Sequence, residues 1–336
     1  MTRFTMRVFF CLFILAPLTV FGGACVSGDC HQGIGMYINE TGETYEGPWL
    51  NSKPHGKGKY TNKRGDIYIG QWTNGAIEGF GTYNYHNGDV YIGHFLNFQK
   101  NGQGTFSYSN GDVYSGTFFE GKKNGVGVYN SSDGWVYKGN WKNGLKHGAG
   151  TLKDKNGNKY VGEFRNGEKN GKGTFIWKDG GTYKGEFEKN TFHGHGIREY
   201  SNGDSYKGFF KNGQKNGRGV YTYLNGDSYQ GEFKNNKKNG SGFYRWADGG
   251  TYEGEFNNNT FHGKATRKYP NGETYLGQFA NGKRNGIGIY LSVNGEIYRG
   301  KWRDNMKDGA GICTTSKGVK IKCTWTNNRL VNYTRL

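Results

Sequence analysis

A Tyr-x-Gly-x-aromatic signature returns every 23 residues, twelve times, with no insertion or deletion. The tyrosines run from Tyr45, Tyr68 and Tyr91 in unbroken register to Tyr298. Gly follows each by two residues, from Gly47 to Gly300, and Trp or Phe by four, from Trp49 to Trp302. Paired glycines stand at offsets 11 and 13, as in Gly56 and Gly58; Ala265 is the one departure. A fixed period of this length means a repeat architecture in which each unit contacts its neighbours.

Each unit reads as two strands. Tyr, Gly and aromatic at offsets 0, 2 and 4 share one strand face, because side chains alternate along a strand. Offsets 11, 13, 15 and 17 share parity in the same way, as in Gly79, Gly81, Tyr83 and Tyr85. Asn87-Gly88-Asp89 is a tight-turn signal. The stretch from offset 5 to offset 10, such as Asn97 to Asn101, is expected to form the other turn. Glycine on the aromatic face lets a ring approach where no β-carbon blocks it. The expected fold is all-β: an elongated, single-layer antiparallel β-solenoid of stacked 23-residue hairpins. At ~4.8 Å per strand, twenty-four strands would make a rod on the order of 115 Å long.

Composition agrees. The chain has 336 residues, with 61 Gly, 25 Tyr and 22 Phe, and only 33% are hydrophobic. That is too few aliphatic side chains for a compact core, and too many aromatics for a disordered chain. The formal net charge of +18 favours anionic partners.

Residues 1–24 read as a signal peptide. Arg3 and Arg7 precede an apolar run from Val8 to Ala16, then Pro17 and a short apolar stretch to Phe21. Gly22-Gly23-Ala24 supplies the small residues that an export peptidase reads. Cys25 could accept a lipid, but Gly22 stands where a lipobox has a larger aliphatic residue, so simple cleavage is favoured. The mature domain is then 25–336: a partial N-terminal unit, twelve full repeats from about Tyr45, and a degenerate C-terminal unit. Asn39, Asn130, Asn239, Asn258 and Asn332 begin glycosylation sequons.

The unit Tyr137-Lys-Gly139-Asn-Trp141-Lys-Asn-Gly144-Leu-Lys-His-Gly148-Ala-Gly150 resembles the membrane occupation and recognition nexus (MORN) repeat. The resemblance covers nearly all of residues 25–336. It implies a single-layer sheet used for scaffolding, self-association or membrane attachment. Members are often cytosolic and fused to other domains; an export signal and a chain of repeats alone depart from that pattern.

The four cysteines of residues 25–336 lie in the two incomplete terminal units. Cys25 and Cys30 precede Gly33, and Cys313 and Cys323 flank Gly318 at equal distance, the expected centre of a turn. Disulfides Cys25–Cys30 and Cys313–Cys323 are expected, since solenoid ends lack a neighbour and expose strand edges. With Cys11 removed in the signal segment, the even count of four fits an oxidising compartment.

No catalytic, metal or cofactor-binding set emerges. His55, His147, His193 and His262 share offset 10 but stand whole repeats apart. The Gly-x-Gly pairs lack the helix and the Gly-Lys-Ser/Thr of a phosphate loop. An enzyme is not expected, and no cofactor.

Three patterns could bind a partner. Offset 9 holds a cation in eight repeats: Lys100, Lys123, Lys146, Lys169, Lys215, Lys238, Arg284 and Lys307. On a turn row these would project along one edge at ~10 Å intervals and could dock protein, an anionic membrane surface or an acidic polymer; export argues against nucleic acid. Phe192 and Phe261 replace the cation in two repeats, inside matching Asn-Thr-Phe-His-Gly stretches 69 residues apart. A duplicated three-repeat block explains the likeness; ~29 Å apart, the two rings could also anchor a dimeric partner or a second copy of the chain. Thirdly, offset 17 carries Tyr85, Tyr108, Trp177, Tyr200, Tyr223, Trp246 and Tyr269. Such rings could stack on sugars, the alternative glycan-binding function.

Overall fold

The computed structural model describes residues 22–336. The export-signal reading of residues 1–24 therefore lies outside the described residues, except for its last three. Gly23 and Ala24 open the first strand, Gly23–Gly28. The described residues hold no helix, and 29 antiparallel strands belong to one sheet. Contacts divide the chain into two units: residues 1–155 with 165–167, and residues 156–164 with 168–336.

In the first unit, the repeat of Tyr114 displays the local rules. Its first strand is Val113–Phe119 and its second Lys122–Asn130. Only Glu120 and Gly121 join them, with φ of 48° and 76°. Two successive positive φ values make the turn whose twist matches a hairpin. The expected turn over offsets 5 to 10 is thus too long: two residues suffice, and offsets 8 to 10 belong to the second strand. The five residues Ser131–Trp135 then lead to the next strand, Val136–Lys142. Ser131 donates its N–H to the Trp135 carbonyl and Gly134 to that of Ser131, each at 2.9 Å.

Tyr114 is fully buried by its own repeat's glycines. A β-carbon on Gly116 would lie 2.7 Å from the Tyr114 hydroxyl, and one on Gly127 would also meet that ring. The hydroxyl passes over the pair and donates to the Thr117 carbonyl at 3.0 Å. The Phe118 and Trp141 rings stand edge-on to Tyr114, with centroids at 5.1 and 5.3 Å. Such pairs add about 0.5–1.5 kcal/mol each beyond area burial. A bulge follows: the register passes from Gly116↔Gly127 to Phe118↔Lys123.

The second unit uses the same devices. Tyr206 stands edge-on to Phe210 and to Phe233, at 5.1 and 5.0 Å. Successive long turns are clamped by Asp227, which accepts the Ala247 N–H at 2.9 Å and the Tyr244 hydroxyl at 2.8 Å. Successive short turns are clamped by Asn236, whose Oδ1 accepts the Lys215 N–H at 2.8 Å.

Both terminal cysteine pairs are bonded, each with a Cα–Cα distance of 6.0 Å. The second pair does not face directly, as the symmetry about Gly318 suggested. Cys313 pairs with Ile321 and Gly311 with Cys323, so the bridge runs diagonally. The reason is the loop: Thr315 donates its N–H to the Val319 carbonyl, and Gly318 takes its fourth position rather than its centre. The last hairpin, Lys320–Thr326 with Arg329–Arg335, departs from all others. Elsewhere offset 0 faces offset 15, as Tyr298 faces Cys313. Here Ile321 faces Arg335, a slip of one residue.

Candidate functional site: a cation and ring layer, and an open face

The sheet has two different faces. One carries the tyrosines, glycines and second aromatics. The eight offset-9 cations lie on this face too, because the short turn ends before them. They are half-buried, and they do not project from a turn as the sequence suggested. The Lys123 ammonium lies 4.5 Å from the Tyr129 centroid, 4.8 Å from Trp141, 5.3 Å from Tyr114 and 5.5 Å from Tyr108. Lys100, Lys169, Lys215 and Lys238 sit over Phe106, Phe175, Tyr221 and Tyr244 at 4.7, 4.6, 4.5 and 4.4 Å. Arg284 covers Trp302 at 4.4 Å, Lys307 covers Trp325 at 4.5 Å, and Lys146 lies 5.5 Å from Trp135. Ring faces attract a cation electrostatically. Burial works against the charge: it pushes Lys100, Lys123 and Lys238 down to about 8, and lowers Lys146, Lys215 and Lys307.

Phe192 and Phe261 turn onto the same layer. They stack on Tyr183 and Tyr252, each with centroids 3.9 Å apart. Their repeats also exchange offset 15: Arg198 and Arg267 stand where a ring accompanies the cation in six of the eight cation-bearing repeats, Leu152 and Cys313 being the exceptions. Arg198 lies over Trp177 at 3.1 Å and Arg267 over Trp246 at 3.2 Å. Cation and ring have traded places within the hairpin. The sequence flagged both Phe and both Trp, but not the arginines that complete the exchange. The offset-17 rings are half-buried and engaged in the layer; Tyr85 and Trp177 contact Tyr83 and Phe175 at 4.5 and 4.6 Å.

Among the described residues, none forms a second layer over the opposite face. It exposes Ile69, Phe80, Ile92 and Val126 in the first unit, and Ile197, Phe243, Leu276 and Ile287 in the second. It also carries cations that the sequence reading missed. Offsets 5 and 8 flank the short turn and expose Lys211, Lys234 and Lys237. Lys234 faces Lys237 directly across the hairpin, a like-charge pairing that weakens a sheet. The signal was present in strand parity, but a six-residue turn would have hidden it.

Among the described residues, no group of three or more His, Cys, Asp or Glu is placed to hold a metal ion. No helix there is long and apolar enough to cross a membrane.

These features define a single-layer antiparallel β repeat protein, closed on one face by its own rings. The MORN repeat model matches twelve consecutive units, from residues 45–67 to 298–320, and the chain belongs to that family. No curated protein matches it. Several solved structures are distantly similar. The TCP domain of SAS-4 from Drosophila melanogaster, in complex with a proline-rich motif of Ana2, is 13% identical, with 53% of this chain and 85% of that one covered and a TM-score of 0.26. The TCP10 domain of Danio rerio CPAP is 8% identical, with 76% and 99% covered and a TM-score of 0.21. A streptogramin B lyase is 14% identical, with 79% and 81% covered and a TM-score of 0.14. At these scores the likenesses carry no argument.

Proposed function

We propose that the chain is a non-catalytic scaffold, exported from the cytoplasm, that binds a protein or an anionic surface along its repeats. The supporting observation is the difference between the faces. One is filled by rings and half-buried cations; the other is uncovered and exposes apolar side chains among unpaired lysines such as Lys211, Lys234 and Lys237. The two disulfides fit an oxidising compartment. The offset-9 cations contribute less than an exposed ladder would, since their ammonium groups already rest on rings. Sugar stacking on the aromatic face draws little support, because the offset-17 rings pack against neighbours.

Co-sedimentation tests this reading. Vesicles containing phosphatidylserine should bring down the folded chain, and salt should weaken the association, as it does for exposed charges. Changing Lys211, Lys234 and Lys237 together to Glu should release it. Equal sedimentation with neutral phosphatidylcholine vesicles, or with the triple variant, removes the anionic-surface arm. Capture of a protein by the open face, lost in the same variant, would then decide for the protein arm.

A further inference from the structure

The slipped last hairpin creates a site that no other repeat has. Offsets 11 and 13 are glycines on the aromatic face in most repeats; in the last unit they are Asn332 and Thr334. The one-residue slip pairs Lys322 with Thr334 and Thr324 with Asn332. Both polar residues thereby turn to the open face, beside Lys322. A shallow cavity of about 470 Å³, largely open to solvent, lies there, lined by Ala310, Ile312, Lys322, Thr324, Asn332 and Thr334 among others. Its size falls in the roughly 300–1,000 Å³ range of small-molecule sites.

The lining is chemically selective. No acidic residue belongs to it. Arg299 faces Ile312, which faces Lys322, so a second cation stands on the same face about 10 Å from Lys322, two strand spacings away. Asp308, the nearest acid along the strand that carries Ile312, is paired with Arg303. Lys322 provides an ammonium, Thr324 and Thr334 hydroxyls, and Asn332 an amide. Among the described residues none of these four side chains makes a hydrogen bond or ion pair, so all remain available to a ligand. Ile312 and Ala310 give an apolar floor.

We propose that this cavity binds a sugar unit carrying a phosphate or sulfate ester. The ester takes Lys322, with the positive field of Arg299 behind it, and the sugar hydroxyls take the threonines and the amide. This site is separate from the scaffold reading and stands or falls without it.

Calorimetric titration of the full chain tests the proposal with glucose 6-phosphate, glucose 6-sulfate, glucose and inorganic phosphate. One or both esters should bind, the stronger one naming the anion. Glucose and inorganic phosphate should each bind at least about tenfold more weakly, since each forfeits one set of charged or polar contacts. Lys322→Ala should weaken the ester about tenfold or more, whereas Lys138→Ala, an exposed lysine at the same offset of a central repeat, should bind as the parent does. Lys322 is exposed, and an unchanged melting curve confirms that its variant is folded. Asn332→Leu, which keeps the charge, should also weaken the ester. No binding by either ester overturns the proposal. So does inorganic phosphate binding as tightly as the ester, or an equal loss in Lys138→Ala, because diffuse charge would then account for the affinity.

Discussion

The Arg198 guanidinium lies 3.1 Å from the centre of the Trp177 ring, two strands away from where Lys169 covers Phe175 at 4.6 Å. The same cation–π contact is thus built from opposite ends of the hairpin in neighbouring repeats.

That exchange predicts compensation. Phe192→Lys would set a second cation beside Arg198 and should destabilise the fold, as would Arg198→Phe alone, which strips Trp177 of its cover. The double variant restores the Lys-over-ring order of Lys169 and Phe175. It should regain about 1 kcal/mol over the sum of the single changes. A double-mutant cycle from urea denaturation measures this; strictly additive losses would remove the exchange.

Gly173 tests the ring-on-glycine contact. A β-carbon there would lie 2.5 Å from Tyr160 Cε2. Gly173→Val should cost about 1–3 kcal/mol by overpacking. Lys172→Val, one residue away on the open face, should stay within about 0.5 kcal/mol of the parent. Thermal melts of the two variants give the comparison, and equal melting temperatures would count against the packing.

Asp112 clamps two successive turns. It accepts the Tyr129 hydroxyl at 2.6 Å and the Ser132 N–H at 2.8 Å. The Tyr129 hydroxyl and the Ser132 N–H hold its carboxyl well below the usual carboxylate range. Asp112→Ala leaves these donors without their acceptor and should lower the melting temperature. Hydrogen exchange should quicken first at Ser132; uniform protection across that turn would contradict the clamp.

Stability should pass through a maximum in alkaline solution. Lys100, Lys123 and Lys238 titrate at about 8 in the folded chain, against about 10.4 in the unfolded one. Between these values the unfolded state binds more protons, so stability rises with pH there. Burial pushes Tyr137 and Tyr206 up to about 12, whereas unfolded tyrosines ionise at about 10. Above that point the folded state holds more protons, and stability falls. Denaturation midpoints should therefore be higher at about pH 10 than at about pH 8 or pH 12. A steady decline from pH 8 would refute the burial of the lysines.

Much of the fold was legible because its rules are local. Tyr114, Gly116 and Phe118 lie on one strand, and alternation alone puts them on one face. The cysteine pairs were legible because both members of each fall in an incomplete terminal unit. Turn length was not. Asn-Gly flanked by lysines reads equally as a long basic turn, and only φ values at residues such as Asn212 and Gly213, 50° and 77°, reduce it to two residues. That one difference moves eight cations from an outer edge onto the rings and uncovers Lys211, Lys234 and Lys237. The slip that pairs Ile321 with Arg335 coincides with the loss of the glycines at offsets 11 and 13, replaced by Asn332 and Thr334, but their loss alone does not set the new register.

The clamps between turns restrict how a chain of this kind can change in length. Asp227 reaches Ala247 and Asn236 reaches Lys215, each joining one hairpin to the next, and the same contacts recur where Asp or Asn stands at those offsets. A whole unit of 23 residues, or a block of three such as the 69-residue spacing suggests, can be added or removed with every junction restored. A single extra residue within a strand cannot, because it would turn the tyrosine outward and the lysine strand over. Growth is therefore stepwise, and the step is one hairpin.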